Sequence, residues 1–190
     1  MGAMYLPTLT RAPQLQRGFT LIEVMVVVAI LGVLLALAGP SFTPLIERWR
    51  VRSTTEALTS ALYYARSEAI KRGGDVFIGK IPNKTGGCKT ASTTNDWNCG
   101  WQICTAVKAD NTCKVANILQ EFSLPGNLQI TRPSGGANIK FDRWGKVAGT
   151  FVGFSVFPVD KSISDTSARA LCMSSGGRIR VITDPPCTSG

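Results

Sequence analysis

The segment with the clearest chemical meaning lies near the C-terminus and reads Gly176-Gly177-Arg178-Ile179-Arg180-Val181. In a β-strand, residues two apart face the same way, so Arg178 and Arg180 would project from one face about 7 Å apart. Ile179 and Val181 would then point to a core, and Gly177 would let the backbone approach a ligand closely. Two guanidiniums at this spacing match consecutive phosphates of a nucleic acid. The alternative is an edge strand that its arginines keep soluble.

Further cations precede this segment, and they extend the candidate phosphate-binding surface. They are Arg132, Lys140, Arg143 and Lys146. Trp144 lies between the last two, where it either stacks on a base or plugs the end of a sheet. The net charge of +9 favours an acidic partner such as nucleic acid or an anionic membrane, although a basic surface without a partner gives the same charge.

The cysteines predict disulfides and an oxidising compartment. There are six, at Cys88, Cys99, Cys104, Cys113, Cys172 and Cys187, and the chain has no histidine and no Cys-x-x-Cys pair. A zinc site of cysteines and histidines is therefore excluded. Among the fifteen possible connectivities, we favour Cys172–Cys187, which ties down the C-terminal tail, and Cys104–Cys113, which brackets a hairpin. Cys88–Cys99 then remains, across a loop rich in serine and threonine.

Catalysis finds no support in the sequence. Without histidine there is no Ser-His or Cys-His pair, and no nucleophile elbow, Walker A loop or zinc-protease motif is present. Paired glycines such as Gly135-Gly136 lack the strand-to-helix context of a phosphate loop and indicate turns. We therefore predict a protein that is not an enzyme and needs no cofactor or metal.

Two kinds of regular structure should position these residues. From Leu45 to Arg72, apolar residues recur at three- and four-residue spacing, which predicts an amphipathic helix that stops at Gly73-Gly74. Short alternating runs separated by turn residues follow and predict strands. These runs are residues 75–81, 101–107, 117–122, 127–131, 138–141, 151–157, 169–173 and 178–183. We expect two antiparallel sheets beside the helix.

The N-terminus has a different character. Residues 1–18 carry Arg11 and Arg17 but no acid, and the apolar run that follows, 19–39, has the ~20 residues that a membrane-spanning helix needs. Glu23 lies inside this run, where a carboxylate is costly and usually functional. Pro40 and Pro44 then interrupt the helix.

The junction between these regions resembles the class III signal of type IV prepilins and type II secretion pseudopilins. The matching residues are Arg17-Gly18-Phe19-Thr20-Leu21-Ile22-Glu23. The resemblance implies that prepilin peptidase cleaves between Gly18 and Phe19 and that Phe19 is then N-methylated. It also implies that Glu23 pairs with the positive N-terminus of a neighbouring subunit during assembly.

A second stretch, residues 63–73, resembles the end of the helix in the FimT, FimU and GspH group of minor pilins and pseudopilins. The Gly-Arg-x-Arg pattern at Gly177, Arg178 and Arg180 resembles the DNA-binding site of FimT-type minor pilins, so the chain is most similar to that branch. The implied function is a type IV minor pilin that binds double-stranded DNA non-specifically during uptake for transformation. The alternatives are a FimU-like structural minor pilin without a ligand and a GspH-like pseudopilin of type II secretion.

Together these interpretations predict an α+β pilin fold. Its parts are a leader peptide at 1–18, a transmembrane or filament-core helix at 19–39, an amphipathic half-helix at 40–73 and a disulfide-bonded β-rich head at 74–190. The resemblance places the precursor in the inner membrane, with the head in the periplasm and then in the pilus.

Overall fold

The computed structural model describes residues 18–38, 42–133, 135–149 and 151–188. Most of the predicted leader, including Arg17, and the predicted helix break at Pro40 therefore lie outside the described residues. The chain divides into two compact units, one that ends at Phe42 and one that begins at Thr43. The second unit is called the head here.

In the first unit, the described residues form one helix, α1, at Leu21–Ala38. Thr20 caps it, since its Oγ1 accepts a hydrogen bond from the backbone N–H of Glu23 at 3.3 Å. This is half of a capping box, in which a glutamate three residues after the cap also suits the positive end of the helix dipole. Within the described part of the chain, no helix reaches the combination of length and apolarity required to cross a membrane.

The head begins with α2, at Thr43–Arg72. Pro44 lies in its first turn, where a missing backbone N–H costs nothing. One face is buried and carries the predicted apolar stripe, which comprises Leu58, Ala61, Leu62, Ala65 and Ala69. The helix ends as predicted. Gly73 adopts a left-handed φ of 80°, and the Gly74 N–H reaches back to the carbonyl of Ala69 at 2.8 Å.

The described residues of the head form eight strands, in two antiparallel four-stranded sheets. The first sheet has the order β3-β2-β1-β5 and the second the order β4-β6-β7-β8, so β8 is an edge strand. The strands are β1 Val76–Lys80, β2 Gly100–Cys104, β3 Ile118–Ser123, β4 Leu128–Thr131, β5 Asn138–Phe141, β6 Phe151–Pro158, β7 Arg169–Ser174 and β8 Ile179–Ile182. A 3-10 turn, Val115–Asn117, precedes β3. The fold is therefore the α+β arrangement that the sequence predicts.

The buried face of α2 packs against both sheets and forms the core of the head with them. Leu58 and Leu62 of the helix share this core with Ile78 of the first sheet and Leu171 of the second. Trp97 lies among them, with its ring edge-on to Phe154 at 5.0 Å between ring centres. This shared core fixes the positions of α2, β5 and the β7–β8 hairpin relative to one another, and these elements carry the basic residues.

Three disulfides staple the head, and they have the pairings that the sequence favours. They are Cys88–Cys99, Cys104–Cys113 and Cys172–Cys187. The last bond ties the segment after β8 back to β7, whose Cys172 lies opposite Arg180 in the strand register. Because β8 has a neighbour on one side only, this covalent tie supports the strand that carries the arginine.

Candidate nucleic-acid interface

The β7–β8 turn, Ser174–Arg178, positions the first predicted arginine. The Ser174 N–H donates to the Arg178 carbonyl at 2.9 Å, and the Gly177 N–H donates to the Ser174 carbonyl at 2.8 Å. The Ser174 hydroxyl accepts a hydrogen bond from the Arg178 N–H at 3.1 Å. Gly177 has a φ of 87°, which an L side chain rarely adopts. The chain therefore turns tightly and places Arg178 at the base of β8.

A second turn, Asp142–Lys146, repeats this geometry after β5. The Asp142 N–H donates to the Lys146 carbonyl at 3.0 Å, and the Gly145 N–H donates to the Asp142 carbonyl at 2.9 Å. Gly145 is also left-handed, with a φ of 67°. In both turns a side-chain acceptor comes first, a left-handed glycine fourth and a cation fifth.

The Asp142 carboxylate rigidifies this second turn. Its Oδ1 accepts the backbone N–H groups of Lys146 at 2.9 Å and Trp144 at 2.8 Å. The Lys146 N–H chiefly, with that of Trp144 and the charges of Lys146 and Arg143, holds the pKa of Asp142 below its ordinary value. The carboxylate is thus committed to the backbone of its own turn.

Arg66 of α2 joins the two turns. Its Nη1 donates to the Gly177 carbonyl at 3.1 Å. A Cβ atom on Gly145 would lie 2.6 Å from Arg66 Cγ, and one on Gly177 would lie 2.6 Å from Arg66 Cζ. The residue that follows the second turn bonds to the first turn, since the Val147 N–H donates to the Ser175 carbonyl at 3.2 Å. Arg66 and the turns Asp142–Lys146 and Ser174–Arg178 are called the twin-turn site here.

Arg66 lies within the predicted amphipathic helix, whose apolar spacing gives no reason to expect its contact with Gly177. A signal was available, because the same spacing of acceptor, glycine and cation occurs in Asp142–Lys146 and Ser174–Arg178. The structure brings together Gly177, Arg178, Arg143 and Lys146, and all three of these cations are exposed.

Arg180 is exposed on β8, opposite Cys172 of β7. Ile179 packs against the core, as expected. Val181 is 50% exposed, so it is less covered than a core position would be. In register it lies opposite Leu171 and so on the core side of the sheet. It remains half uncovered because β8 is the edge strand.

Two of the further predicted cations are engaged elsewhere. Arg132 is only 7% exposed, so its prediction as a phosphate contact is wrong. Its Nη1 donates to the carbonyls of Gly136 at 2.7 Å and Asn138 at 2.8 Å, and burial lowers its pKa to about 10. Lys140 Nζ pairs with Asp75 at 2.6 Å, which offsets its charge locally. The arginine therefore organises the loop before β5 instead of facing solvent.

Trp144 is 71% exposed, so it does not plug the end of a sheet. It occupies the third position of its turn, between Arg143 and Gly145. The indole therefore stands at the surface beside the exposed cations of the twin-turn site.

The residues predicted for processing and assembly lie in the first unit. Gly18 precedes the helix, and no described atom lies within 4 Å of the position that a Cβ would take there. Phe19 is 82% exposed, and Glu23 is exposed in the first turn of α1. Among the described residues of both units, no three histidine, cysteine or acidic side chains cluster as a metal site would require.

Two family models match the chain. One, described as type II transport protein GspH, matches residues 54–177, and another, described as the prokaryotic N-terminal methylation motif, matches residues 14–39. A fimbrial protein of Pseudomonas aeruginosa is 42% identical over 71 residues, which are 37% of this chain and 45% of that protein. The type IV major fimbrial protein FimA of Dichelobacter nodosus is 46% identical over 68 residues, which are 34% of this chain and 43% of that protein. The chain thus spans less than half the length of these curated relatives.

Solved structures share the fold of the head. The minor pilin FimU of Pseudomonas aeruginosa superimposes with a TM-score of 0.55 at 24% identity, over 77% of this chain and 98% of that one. A second crystal form of FimU gives 0.52 at 23% identity, over 73% of this chain and 98% of that one. The GspH match spans most of the head and more than half of the whole chain. The chain therefore belongs to the GspH family of minor pilins and pseudopilins.

Proposed function

We propose that this chain is a minor pilin of the type IV pilus whose head binds DNA non-specifically during uptake for transformation. The observation that supports DNA binding is the set of exposed cations on and beside the twin-turn site. Arg178 in its turn and Arg180 on the edge strand are joined there by Arg143 and Lys146, which follow β5 of the other sheet. The turns fix the backbone that carries Arg143, Lys146 and Arg178, so little backbone entropy is lost when phosphates bind.

The contacts proposed here are to the DNA backbone. Arginine guanidiniums hold phosphate oxygens with two hydrogen bonds, and contacts of this kind position a nucleic acid without reading its sequence. Each phosphate neutralised releases condensed counterions, so affinity falls with salt by a log-log slope of about −0.9 per contact on duplex DNA. Binding to duplexes of unrelated sequence is therefore expected to be equally tight.

The test replaces Arg178 and Arg180 together with glutamine and uses the full chain in detergent micelles. Glutamine keeps much of the length and hydrogen-bonding capacity but removes the charge. The salt slope should become shallower by about two units, because two phosphate contacts are lost. Melting should change little, since exposed arginines contribute little to stability.

The matched control removes the same charge elsewhere. Arg50→Gln with Lys108→Gln changes two exposed cations on other elements of the head, and it should leave the slope near that of the unaltered chain. If the chain with Arg178 and Arg180 both replaced bound DNA as tightly as the unaltered chain, the proposed site would be refuted. An unaltered chain that binds no DNA at low salt would refute the function and leave a structural minor pilin or a pseudopilin of type II secretion.

For the N-terminus we propose that prepilin peptidase cleaves between Gly18 and Phe19 and that Phe19 is then N-methylated. The methylation-motif match over residues 14–39 supports this proposal. Before assembly, residues 19–39 would hold the precursor at the inner membrane. Mass spectrometry of the membrane-extracted protein should find a mature chain that begins at methylated Phe19, and another first residue would contradict the proposal.

A further inference from the structure

We propose that the twin-turn site takes single-stranded DNA, with the Trp144 indole stacked on an unpaired base. The inference rests on the proposed DNA-binding function and names the form of DNA that the site prefers. Trp97 and Trp101 are buried in the core of the head, whereas Trp49 on α2 and Trp144 are exposed. Of the two exposed tryptophans, Trp144, with 71% of its surface open to solvent, is the one that lies within the twin-turn site.

The turn holds this indole ready for a flat ligand. Asp142 Oδ1 accepts the N–H of Trp144 at 2.8 Å and that of Lys146 at 2.9 Å, so the backbone on both sides of Gly145 is fixed. An aromatic side chain has only two rotatable bonds, and its backbone here is already ordered. Stacking would therefore cost little conformational entropy.

The charges around the indole match what flanks an unpaired base. Arg143 precedes Trp144, and Lys146 follows it two residues later. Arg178 lies in the other turn, whose Ser175 carbonyl accepts a hydrogen bond from the Val147 N–H. Single strands are bound by this combination, in which cations track the phosphates while an aromatic ring stacks on a base. In a duplex the base faces are already covered by their neighbours, so the indole has nothing to stack on.

The competing use of an exposed tryptophan is a contact with another protein. Such contacts are usually fully desolvated and sealed by surrounding residues, with charge depleted at their centre. Ile70, half exposed, lies on the glycine side of this turn, but Arg66, Arg143 and Lys146 make the surroundings of Trp144 cationic. A polyanion with unpaired bases fits these surroundings better.

The experiment measures the affinity of the full chain in detergent micelles for three probes. They are an oligothymidylate of about 16 nucleotides, an abasic oligomer with the same number of phosphates, and a duplex of unrelated sequence. Trp144→Ala should weaken oligothymidylate binding about 5- to 100-fold and leave the abasic and duplex affinities unchanged. Trp144→Phe, which keeps a ring, should retain most of the oligothymidylate affinity.

Trp49 provides the matched control, because it is 67% exposed on α2. Trp49→Ala should bind all three probes like the unaltered chain. In a Trp49→Phe chain, Trp144 is the exposed indole that remains among the described residues, so oligothymidylate should quench its emission and the abasic oligomer should not.

Four results would overturn the inference. Unchanged oligothymidylate binding by Trp144→Ala would remove the stacking role, while duplex binding that depends on Arg178 and Arg180 would keep the proposed function. If Trp144→Ala lost affinity equally for all three probes, the substitution would have disturbed the turn and not removed a stacking contact. Reduced incorporation into pili with unchanged DNA binding would identify a subunit contact. No binding of any probe at low salt would refute the proposed function and this inference together.

Discussion

At the scale of single residues, Arg132 and Arg178 show why charge alone does not identify a contact. Both are arginines in glycine-rich surroundings, yet Arg132 is 7% exposed and Arg178 faces solvent. The difference arises from neighbours distant in sequence, because the Arg132 side chain lies 5.9 Å over the Trp97 ring. A one-dimensional pattern contains the charge but not this burial.

Arg132 is therefore predicted to act in stability. Arg132→Ala leaves the carbonyls of Gly136 and Asn138 without these donors, which we expect to cost about 3 kcal/mol in the free energy of unfolding. For a domain of this size the melting temperature should fall by roughly 6–12 °C. The affinity for DNA should stay the same below that temperature. If Arg132→Ala melted normally but bound DNA more weakly, Arg132 would have to be assigned to the DNA-binding surface after all.

At the scale of elements, the sequence predicts which segments are regular better than it predicts how they pair. The β5 prediction, 138–141, agrees with the structure at both ends, and the helix stop at Gly73 is correct. Both signals are local, since they depend on alternation and on a left-handed glycine. The placement of β5 beside β1 is a non-local pairing. The meeting of the two turns around Arg66 depends on that pairing, so local patterns could not predict it.

Gly177 is predicted to be essential to its turn. Gly177→Ala forces a Cβ into the left-handed region and against the Arg66 guanidinium, so we expect a loss of about 2 kcal/mol in the free energy of unfolding. DNA affinity should also fall several-fold, because Arg178 is displaced.

The adjacent glycine is the control for this change. In Gly176→Ala the new Cβ would lie 3.9 Å from Ser174 Oγ, which is an ordinary contact distance. This variant should therefore melt at the normal temperature and bind DNA normally. Thermal melting and the duplex-binding assay on both variants provide the comparison. Equal behaviour of the two alanine variants would contradict the role given to Arg66 and Gly177.

The Cys172–Cys187 disulfide is predicted to support binding as well as stability. Replacing both cysteines with alanine opens a link across 15 residues and should cost about 3 kcal/mol. Since β8 is an edge strand, its loosening should also weaken DNA binding through Arg180. Cys88–Cys99 closes a loop of similar length in another part of the head. Removal of Cys88–Cys99 should lower the melting temperature comparably and leave DNA affinity unchanged. If removal of either disulfide weakened DNA binding equally, the role of Cys172–Cys187 in supporting the DNA-binding strand would be contradicted.

At the scale of the whole molecule, the two units differ in chemical character. The head has a complete core and the twin-turn site, whereas α1 presents apolar side chains around its circumference and carries one acid, Glu23. Such a helix has much to gain by packing against other apolar helices. Apolar contacts alone specify register weakly, so a carboxylate that must find a positive partner is suited to fix it.

Glu23 also occupies a helix-capping position, so an experiment on its proposed assembly role must separate the two. Its backbone N–H bonds to Thr20, and a glutamate at this position also completes a capping box, a role that glutamine fills equally well. Glutamine, however, has no charge with which to pair. Glu23→Gln and Glu23→Ala therefore distinguish a capping role from charge pairing between subunits.

We expect both Glu23 variants to insert and be cleaved normally but to be depleted from sheared pili, because neither can pair with the positive N-terminus of a neighbouring subunit. Leader cleavage is read from the mass of the membrane-extracted protein, and incorporation from the amount of the chain in the sheared fraction. Full recovery of incorporation by Glu23→Gln, with loss only in Glu23→Ala, would assign Glu23 to the helix cap. Normal incorporation of both variants would leave Glu23 without a role in assembly, and register would then have to come from the apolar contacts of α1 themselves.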